Sequence, residues 1–225
     1  MPPFDPATVK KVVDYPTGDG KPVGETPTHR DNLLFLIEML RIWYDKNPDV
    51  YISGNMFLYY EEGNKHKRVS PDVFVVHGVP KDSDMKYYAI WEQGDKGPDL
   101  VIEVTSPTTR KEDTEKKFRL YQDVLRVAEY FLFDPFAEYL KPSMQGYRLK
   151  RGRYVRIKPV EGRLPSEVTG LHLERNGEEL RLYDPAAKVW LPTPPEEREA
   201  RAKAEAENAR LRQELEALRR ASGQP

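Results

Sequence analysis

One carboxylate constrains this chain more than any other residue. In the run Pro98-Asp99-Leu100-Val101-Ile102-Glu103-Val104-Thr105, rich in residues that favour strands, Glu103 stands among apolar neighbours. Side chains alternate along a strand, so Asp99, Val101, Glu103 and Thr105 share one face and Leu100, Ile102 and Val104 the other. Burying a carboxylate among Leu, Val and Ile is costly unless it finds a partner. The fold must therefore bring Glu103 a cation, a metal ion or an open strand end.

Distance selects its acidic companion. Four residues of strand separate Asp99 from Glu103 by roughly 13 Å, whereas oxygens sharing one Mg²⁺ each lie about 2.1 Å from it. A second acidic strand, Ser70–Val76, opens on Pro71-Asp72 and can lie alongside the first. Asp72 is then the better partner for Glu103, and Asp99 reads as a strand-start or turn residue. A hydrolytic centre also needs a positive charge, which lysine supplies as a point charge or, with a depressed pKa, as a base. Asp113, Lys117 and Tyr121 fall at i, i+4 and i+8, one stripe of the helix expected after Ser106-Pro107. That spacing equally fits a surface ion pair between Asp113 and Lys117, and Lys116 is a second candidate.

Around these segments the pattern is helix, three strands, helix, strand. Residues 1–28 are rich in proline and glycine and read as an N-terminal arm. The first helix takes His29-Arg30-Asp31-Asn32 as its polar start, has Leu33, Leu34, Ile37, Leu40, Ile42 and Trp43 as its apolar face, and stops at Asn47-Pro48-Asp49. Val50–Tyr60 is extended, and Lys81–Gly97, with Asp82, Asp84, Glu92 and Asp95, is an excursion between the two acidic strands. The helix from Ser106-Pro107 runs to about Leu125, and Glu129–Asp134 is a buried strand. Turn signals at Lys150-Arg151-Gly152-Arg153 and Arg175-Asn176-Gly177-Glu178 predict hairpins that extend the sheet. One main domain over residues 29–191 follows.

Past Pro192-Thr193-Pro194-Pro195 the composition changes to Ala, Glu, Arg, Lys, Gln, Asn and Leu, which predicts a charged helix over residues 196–220. Leu211, Leu215 and Leu218 take heptad positions d, a and d, with Ala204 and Asn208 at earlier d and a positions. A pairing helix that joins copies of the chain into a homodimer or higher homo-oligomer, and a single solvated helix braced by charge pairs, both satisfy this pattern.

Several classes are disfavoured. No apolar run of about 18 residues is present, which argues against a membrane span. The start Met1-Pro2-Pro3-Phe4-Asp5 lacks the order of a signal peptide. Cysteine is absent, so there is no thiolate chemistry or disulfide framework, and the expected compartment is cytoplasmic. Without a glycine-rich phosphate loop no nucleotide cofactor is expected, and no Gly-x-Ser-x-Gly nucleophile elbow occurs. His29, His66, His77 and His172 lack zinc-like spacing. A net charge of −1 gives no global attraction to nucleic acid. Local basic clusters at Lys65-His66-Lys67-Arg68 and at Arg148, Lys150, Arg151 and Arg153 suit either phosphate contact or solvated hairpin tips.

Taken together, Ser70-Pro71-Asp72-Val73, Pro98–Pro107, the Asp113/Lys117/Tyr121 stripe and Glu129-Tyr130-Phe131-Leu132-Phe133-Asp134-Pro135 strongly resemble the Uma family. These are bacterial proteins assigned as restriction endonucleases of the PD-(D/E)XK nuclease superfamily. The resemblance spans about Thr28 to Pro135 and continues through Leu180–Pro185 into the charged helix. It implies an α/β fold with a restriction-endonuclease-like core, a central mixed β-sheet flanked by helices, and phosphodiester hydrolysis of DNA dependent on Mg²⁺, with Mn²⁺ as the alternative ion. Matched by position, Asp72 and Glu103 are the metal carboxylates, the Val104 carbonyl a further ligand, and Lys117 the catalytic cation. The simplest superfamily pattern has a lysine where Thr105 stands, so Lys117 would serve from the helix instead. Glu38 is the candidate for a glutamate contributed by the first helix, or an ordinary surface carboxylate. A catalytically inactive module for nucleic-acid binding or assembly is the alternative that the same fold allows.

Overall fold

A computed structural model describes residues 13–17, 26–81 and 84–221. Most of the arm expected over residues 1–28 lies outside them, as does Asp82. Helix α1 (Pro27–Trp43) begins earlier than its polar residues suggest. Thr26 is its N-cap, accepting from the His29 amide, and Pro27 occupies the first turn, where no amide partner is needed. Its buried face is Leu33, Leu36, Met39 and Leu40, while Leu34 and Ile42 are exposed. The expected face was therefore rotated by part of a turn. Asn32, also buried, donates to the Thr28 and Glu178 carbonyls and accepts from the Leu180 amide, tying α1 to a distant hairpin.

The strands are β1 (Val50–Ser53), β2 (Leu58–Tyr59), β3 (Arg68–Val69), β4 (Val73–His77), β5 (Tyr88–Ala89), β6 (Leu100–Val104), β7 (Glu129–Phe133), β8 (Met144–Lys150) and β9 (Arg153–Arg156). Strands β10 (Leu164–Pro165), β11 (His172–Asn176), β12 (Glu179–Asp184) and β13 (Val189–Trp190) follow. The central six-stranded sheet has the order β1-β4-β6-β7-β8-β9. Only β6 and β7 within it run parallel, so the sheet is mixed. Of the two expected hairpins, β8–β9 extends this sheet through a two-residue turn at Arg151-Gly152, both at positive φ as a twisted tight hairpin requires. The other, β11–β12, instead belongs to a separate four-stranded sheet, β10-β11-β12-β13. Its Leu173, Leu180 and Leu182 pack with α1 and with one face of the central sheet, so the second sheet acts as a cover rather than an extension. A third sheet, β3-β2-β5, lies at the other face.

Alternation along β6 sorts the core into two layers. Leu100, Ile102 and Val104 point into the cluster beneath α1, while Val101 points into a second cluster with Phe74, Val76, Tyr121 and Tyr130. The helix after β6 contains two π-wound segments, Glu112–Lys117 and Leu120–Val124, together α2. The Leu125 amide reaches the Leu120 carbonyl at 2.9 Å, an i→i+5 bond, where ordinary α winding was expected. Arg148, grouped above with a basic cluster, is turned inward onto the buried Glu129 (2.7 Å), which also accepts from Ser166 Oγ and the amides of Glu167 and Val168.

Helix α3 (Pro194–Ala221) starts in a capping box. The Thr193 amide donates to Glu196 Oε2 at 2.8 Å, and the Glu196 amide reaches Thr193 Oγ1 at 3.5 Å. Leu211, Leu215 and Leu218 are all exposed. Among the described residues no helix is long and apolar enough to cross a membrane.

Candidate active site

Asp72 and Glu103 are brought together at the end of a paired ladder. The β4–β6 register sets Val73 opposite Ile102, which carries Asp72 to a place opposite Glu103 on the face that also holds Phe74 and Val101. The ladder then stops for a local reason. Instead of continuing the backbone pairing, the Pro71 carbonyl accepts from the Asn55 amide, and the Val104 amide donates to Asp72 Oδ2 at 2.8 Å. The Asp72 amide in turn donates to Glu103 Oε2 at 3.2 Å. Backbone and side chains thus exchange partners, so β4 begins at Val73 rather than at Ser70 as expected. The two carboxyl groups thus face each other across the end of the ladder, joined through the Asp72 amide. Because N–H and C=O of one strand residue point the same way, the Val104 carbonyl faces the side on which Asp72 lies.

Helix α2 supplies the remaining groups. Lys117 Nζ is 2.9 Å from Glu103 Oε2, and Tyr121 donates its hydroxyl to Glu103 Oε1 at 2.7 Å. Lys117 Nζ is also 3.2 Å from Asp113 Oδ1, close enough for an ion pair but not aligned for a hydrogen bond. Tyr130 of β7 donates to the Asp113 carbonyl and fastens α2 over the sheet. The Asp113–Lys117 pair is therefore a buried contact and not the surface one that spacing also allowed, since the Lys117 side chain is 12% exposed and that of Asp113 2%. Lys116 points outward, exposed.

Glu103 and Asp113 both contact the Lys117 ammonium, Asp72 lies within reach of its field, and the His29 ring lies 3.7 Å from Asp72 Oδ2. Burial pushes the Asp72 carboxyl up to about 6, against the opposing pull of Lys117 and the Val104 amide. Burial likewise raises Glu103 well above the usual carboxylate range, with Lys117 opposing and Asp72 and Asp113 adding to the rise. For Lys117 burial works downward, but Glu103, Asp113 and Asp72 outweigh it and hold the ammonium protonated. Burial, and then Glu103, keep the Tyr121 hydroxyl protonated as a donor.

These shifts have a consequence for stability. A carboxyl that binds its proton more tightly when folded favours the fold below its ordinary pKa and loses that contribution as pH rises through its folded value. The metal-free protein is thus expected to lose stability on the order of 2–3 kcal/mol from Asp72 as pH climbs from about 4 to about 6. Urea unfolding in EDTA at several pH values, compared with Asp72→Asn, isolates that slope. Identical slopes in the two proteins would contradict the raised Asp72 carboxyl.

The other sequence candidates lie elsewhere. Asp99 sits at the opposite end of β6, accepting from the His77 amide at 2.8 Å and meeting His77 Nδ1 at 3.0 Å, as befits a strand-start residue. Glu38 is exposed on α1 and lines a hollow with Arg41, Trp43 and Glu197. Thr105 is buried, its hydroxyl 2.5 Å from the Tyr139 hydroxyl and 3.3 Å from the Phe133 carbonyl.

Two residues at the site were not singled out from the sequence. His29 read as a helix-start residue, and its 43-residue separation from Asp72 carries no spacing signal. Gly54 lies where a Cβ would meet the Asp72 carbonyl oxygen at 1.9 Å, so only glycine lets the β1–β2 connection approach that closely. The Ser53-Gly54-Asn55 break between strand-like stretches was the available clue. Gly54→Ala is expected to cost about 1–3 kcal/mol and to weaken divalent-ion binding by displacing Asp72. Wild-type stability in denaturant would show that the approach is not tight.

The sequence model of Uma2, described as "Putative restriction endonuclease", matches residues 13–184. The chain belongs to the Uma2 family. The resemblance to that family therefore holds over the acidic strands and the α2 stripe, while the match ends before α3, into which the resemblance was expected to continue. Among curated proteins none matches this Uma2 chain. Among solved structures it is similar to the crystal structure of a "putative nuclease belonging to DUF820" from Anabaena variabilis. The identity is 14% and the TM-score 0.49, covering 67% of this chain and 79% of the other.

Whether the Uma2 site suits a metal ion can be judged from its donors. Among the described residues no group of three or more His, Cys, Asp or Glu is disposed to hold an ion. Two carboxylates converge instead. Mg²⁺ is commonly held by one or two carboxylates, with water and substrate phosphate oxygens completing its shell. Each carboxylate oxygen has two lone pairs; Lys117 and the Asp72 amide take those of Glu103 Oε2 and Tyr121 one of Oε1, which leaves Oε1 able to bind a cation. The excess of carboxyl groups over the Lys117 charge favours a divalent ion. The donor set fits.

Proposed function

We propose that this chain is a Mg²⁺-dependent DNA endonuclease, able to use Mn²⁺ in its place. The observation that supports it best is the pairing of the buried Glu103 with the half-buried Asp72 at one end of the β4–β6 ladder, beside a single protonated lysine. Asp72, Glu103 and the Val104 carbonyl would hold the ion. A bound divalent ion supplies Lewis-acid polarisation of a phosphoryl oxygen and lowers the pKa of attached water. Lys117, held protonated, acts as a positive point charge that orients the attacking water and offsets charge on the scissile phosphate. Tyr121 fixes the Glu103 carboxylate by its hydroxyl, and the Val104 amide fixes Asp72. Because burial raises both carboxyls, binding of a divalent ion there would be coupled to proton release and would strengthen with rising pH.

Calorimetric titration of Mn²⁺ and Mg²⁺ into wild type and Glu103→Ala tests the centre. Wild type is expected to bind and the variant to lose that binding. Equal heats in both would remove the metal reading and leave a non-catalytic nucleic-acid module. A homodimer paired through α3 belongs to the same proposal, supported by the exposed Leu211, Leu215 and Leu218. Light scattering that gives monomer mass at all concentrations would exclude it.

A further inference from the structure

A groove opens beside the carboxyl pair, and its walls differ in chemistry from the pair itself. It has a volume of about 560 Å³ and is lined by Phe57, Tyr60 and Arg68 on one side and by Glu112, Lys116 and Lys117 of α2 on the other. Lys117 belongs to both places, since its ammonium is 2.9 Å from Glu103. Anything lying in the groove therefore ends at the reacting centre.

The groove combines two features that a nucleic-acid strand uses. Arg68 stacks its guanidinium 4.4 Å above the Phe57 ring and donates Nη1 to the Lys65 carbonyl, a neutral partner. Among the described residues neither Arg68 nor Lys116 is ion-paired with a carboxylate, and Glu112 is the one acidic side chain on the wall. The cations suit phosphates. Tyr60 and the Arg68–Phe57 stack offer flat faces, which base rings use only when unstacked from their neighbours. A duplex, whose base faces are covered, would use the cations alone.

Resting on the nuclease reading above, we infer that this groove holds a single-stranded DNA segment flanking the scissile phosphate. Arg68 and Lys116 take its phosphates, and Tyr60 stacks on a base. Aromatic–base stacking of this kind is sequence-tolerant because every base has a π face.

The test measures binding without cleavage. Anisotropy of a labelled single-stranded thymidine oligonucleotide, and of a labelled duplex, is followed with the full chain in EDTA. Tyr60→Ala is expected to weaken single-strand binding about tenfold or more, while Tyr60→Phe keeps the wild-type affinity. Lys116→Ala, an exposed position, should reduce the slope of log affinity against log salt by about 0.7, one single-strand phosphate. Undiminished binding by Tyr60→Ala, an unchanged salt slope in Lys116→Ala, or no oligonucleotide binding by wild type would overturn the inference. So would a preference for duplex that Tyr60→Ala leaves intact. Binding that follows this pattern in a protein that never cleaves DNA would defeat the nuclease reading and leave the groove standing. Cleavage with variants that bind like wild type would do the reverse.

Discussion

Asp72→Asn is expected to lose about a thousandfold in Mg²⁺-dependent plasmid cleavage, roughly 4 kcal/mol of barrier, while gaining stability as metal-free protein. The two effects share one cause. Asparagine keeps a carbonyl oxygen for the Val104 amide but removes a charge whose burial raises its own pKa to about 6. At pH 7.5 that charge opposes folding, so its removal is worth on the order of 2–3 kcal/mol. Urea unfolding in EDTA and cleavage in Mg²⁺ are the two measurements. Loss of stability together with activity would mean that Asp72 is a structural residue and that its carboxylate is not poised for a cation.

Lys117→Met carries the second large effect, with the opposite sign. Methionine fills similar volume without charge, leaving Glu103 and Asp113, both buried, with no ammonium. Removing one partner of a buried ion pair typically costs about 3–5 kcal/mol, and that loss is expected at neutral pH by chemical denaturation. It should shrink as pH falls, because burial already raises the Glu103 carboxyl well above its usual range and a proton can replace the lost ammonium. Lys116→Met is the control: its side chain is exposed, so a change within about 0.5 kcal/mol is expected. Comparable losses from both lysines would contradict the buried placement of Lys117 alone. In plasmid cleavage, undiminished activity in Lys117→Ala would take that residue out of the mechanism.

How far the sequence was legible followed from the physics each residue depends on. Glu103 and its pairing with Asp72 could be read because strand alternation and rise are rigid rules, and because an unpartnered buried carboxylate is costly. The Asp113/Lys117/Tyr121 stripe was legible in spacing but not in depth, since an i, i+4 pair looks the same on a surface as under a sheet. The π winding of α2 left no trace, because residues four apart remain neighbours in either winding. Helix α1 was recognised, yet its start depended on Thr26 and Pro27, and its apolar residues outnumber those on any single face. His29 reaches Asp72, and Glu129 reaches Arg148 and Ser166, through the tertiary fold alone; no local pattern announces such contacts. Assignment of the second hairpin to a separate sheet was hidden for the same reason.

The Glu129 hub governs how the molecule comes apart. Its carboxylate sits in the central sheet yet takes hydrogen bonds from Ser166, Glu167 and Val168, which lead into the covering sheet. Leucines of that cover share one apolar cluster with α1 and β6. Peeling the cover away would strip Glu129 of three of its donors, leaving it Arg148, and wet the underside of the strand that carries Glu103. Partial opening is therefore penalised from both sides, and the sheets should melt as one cooperative unit, with a single calorimetric transition. The C-terminal part of α3, where Leu211, Leu215 and Leu218 are exposed, would fray long before it, whereas its first turn is tied to the cover through Glu196 and Arg181.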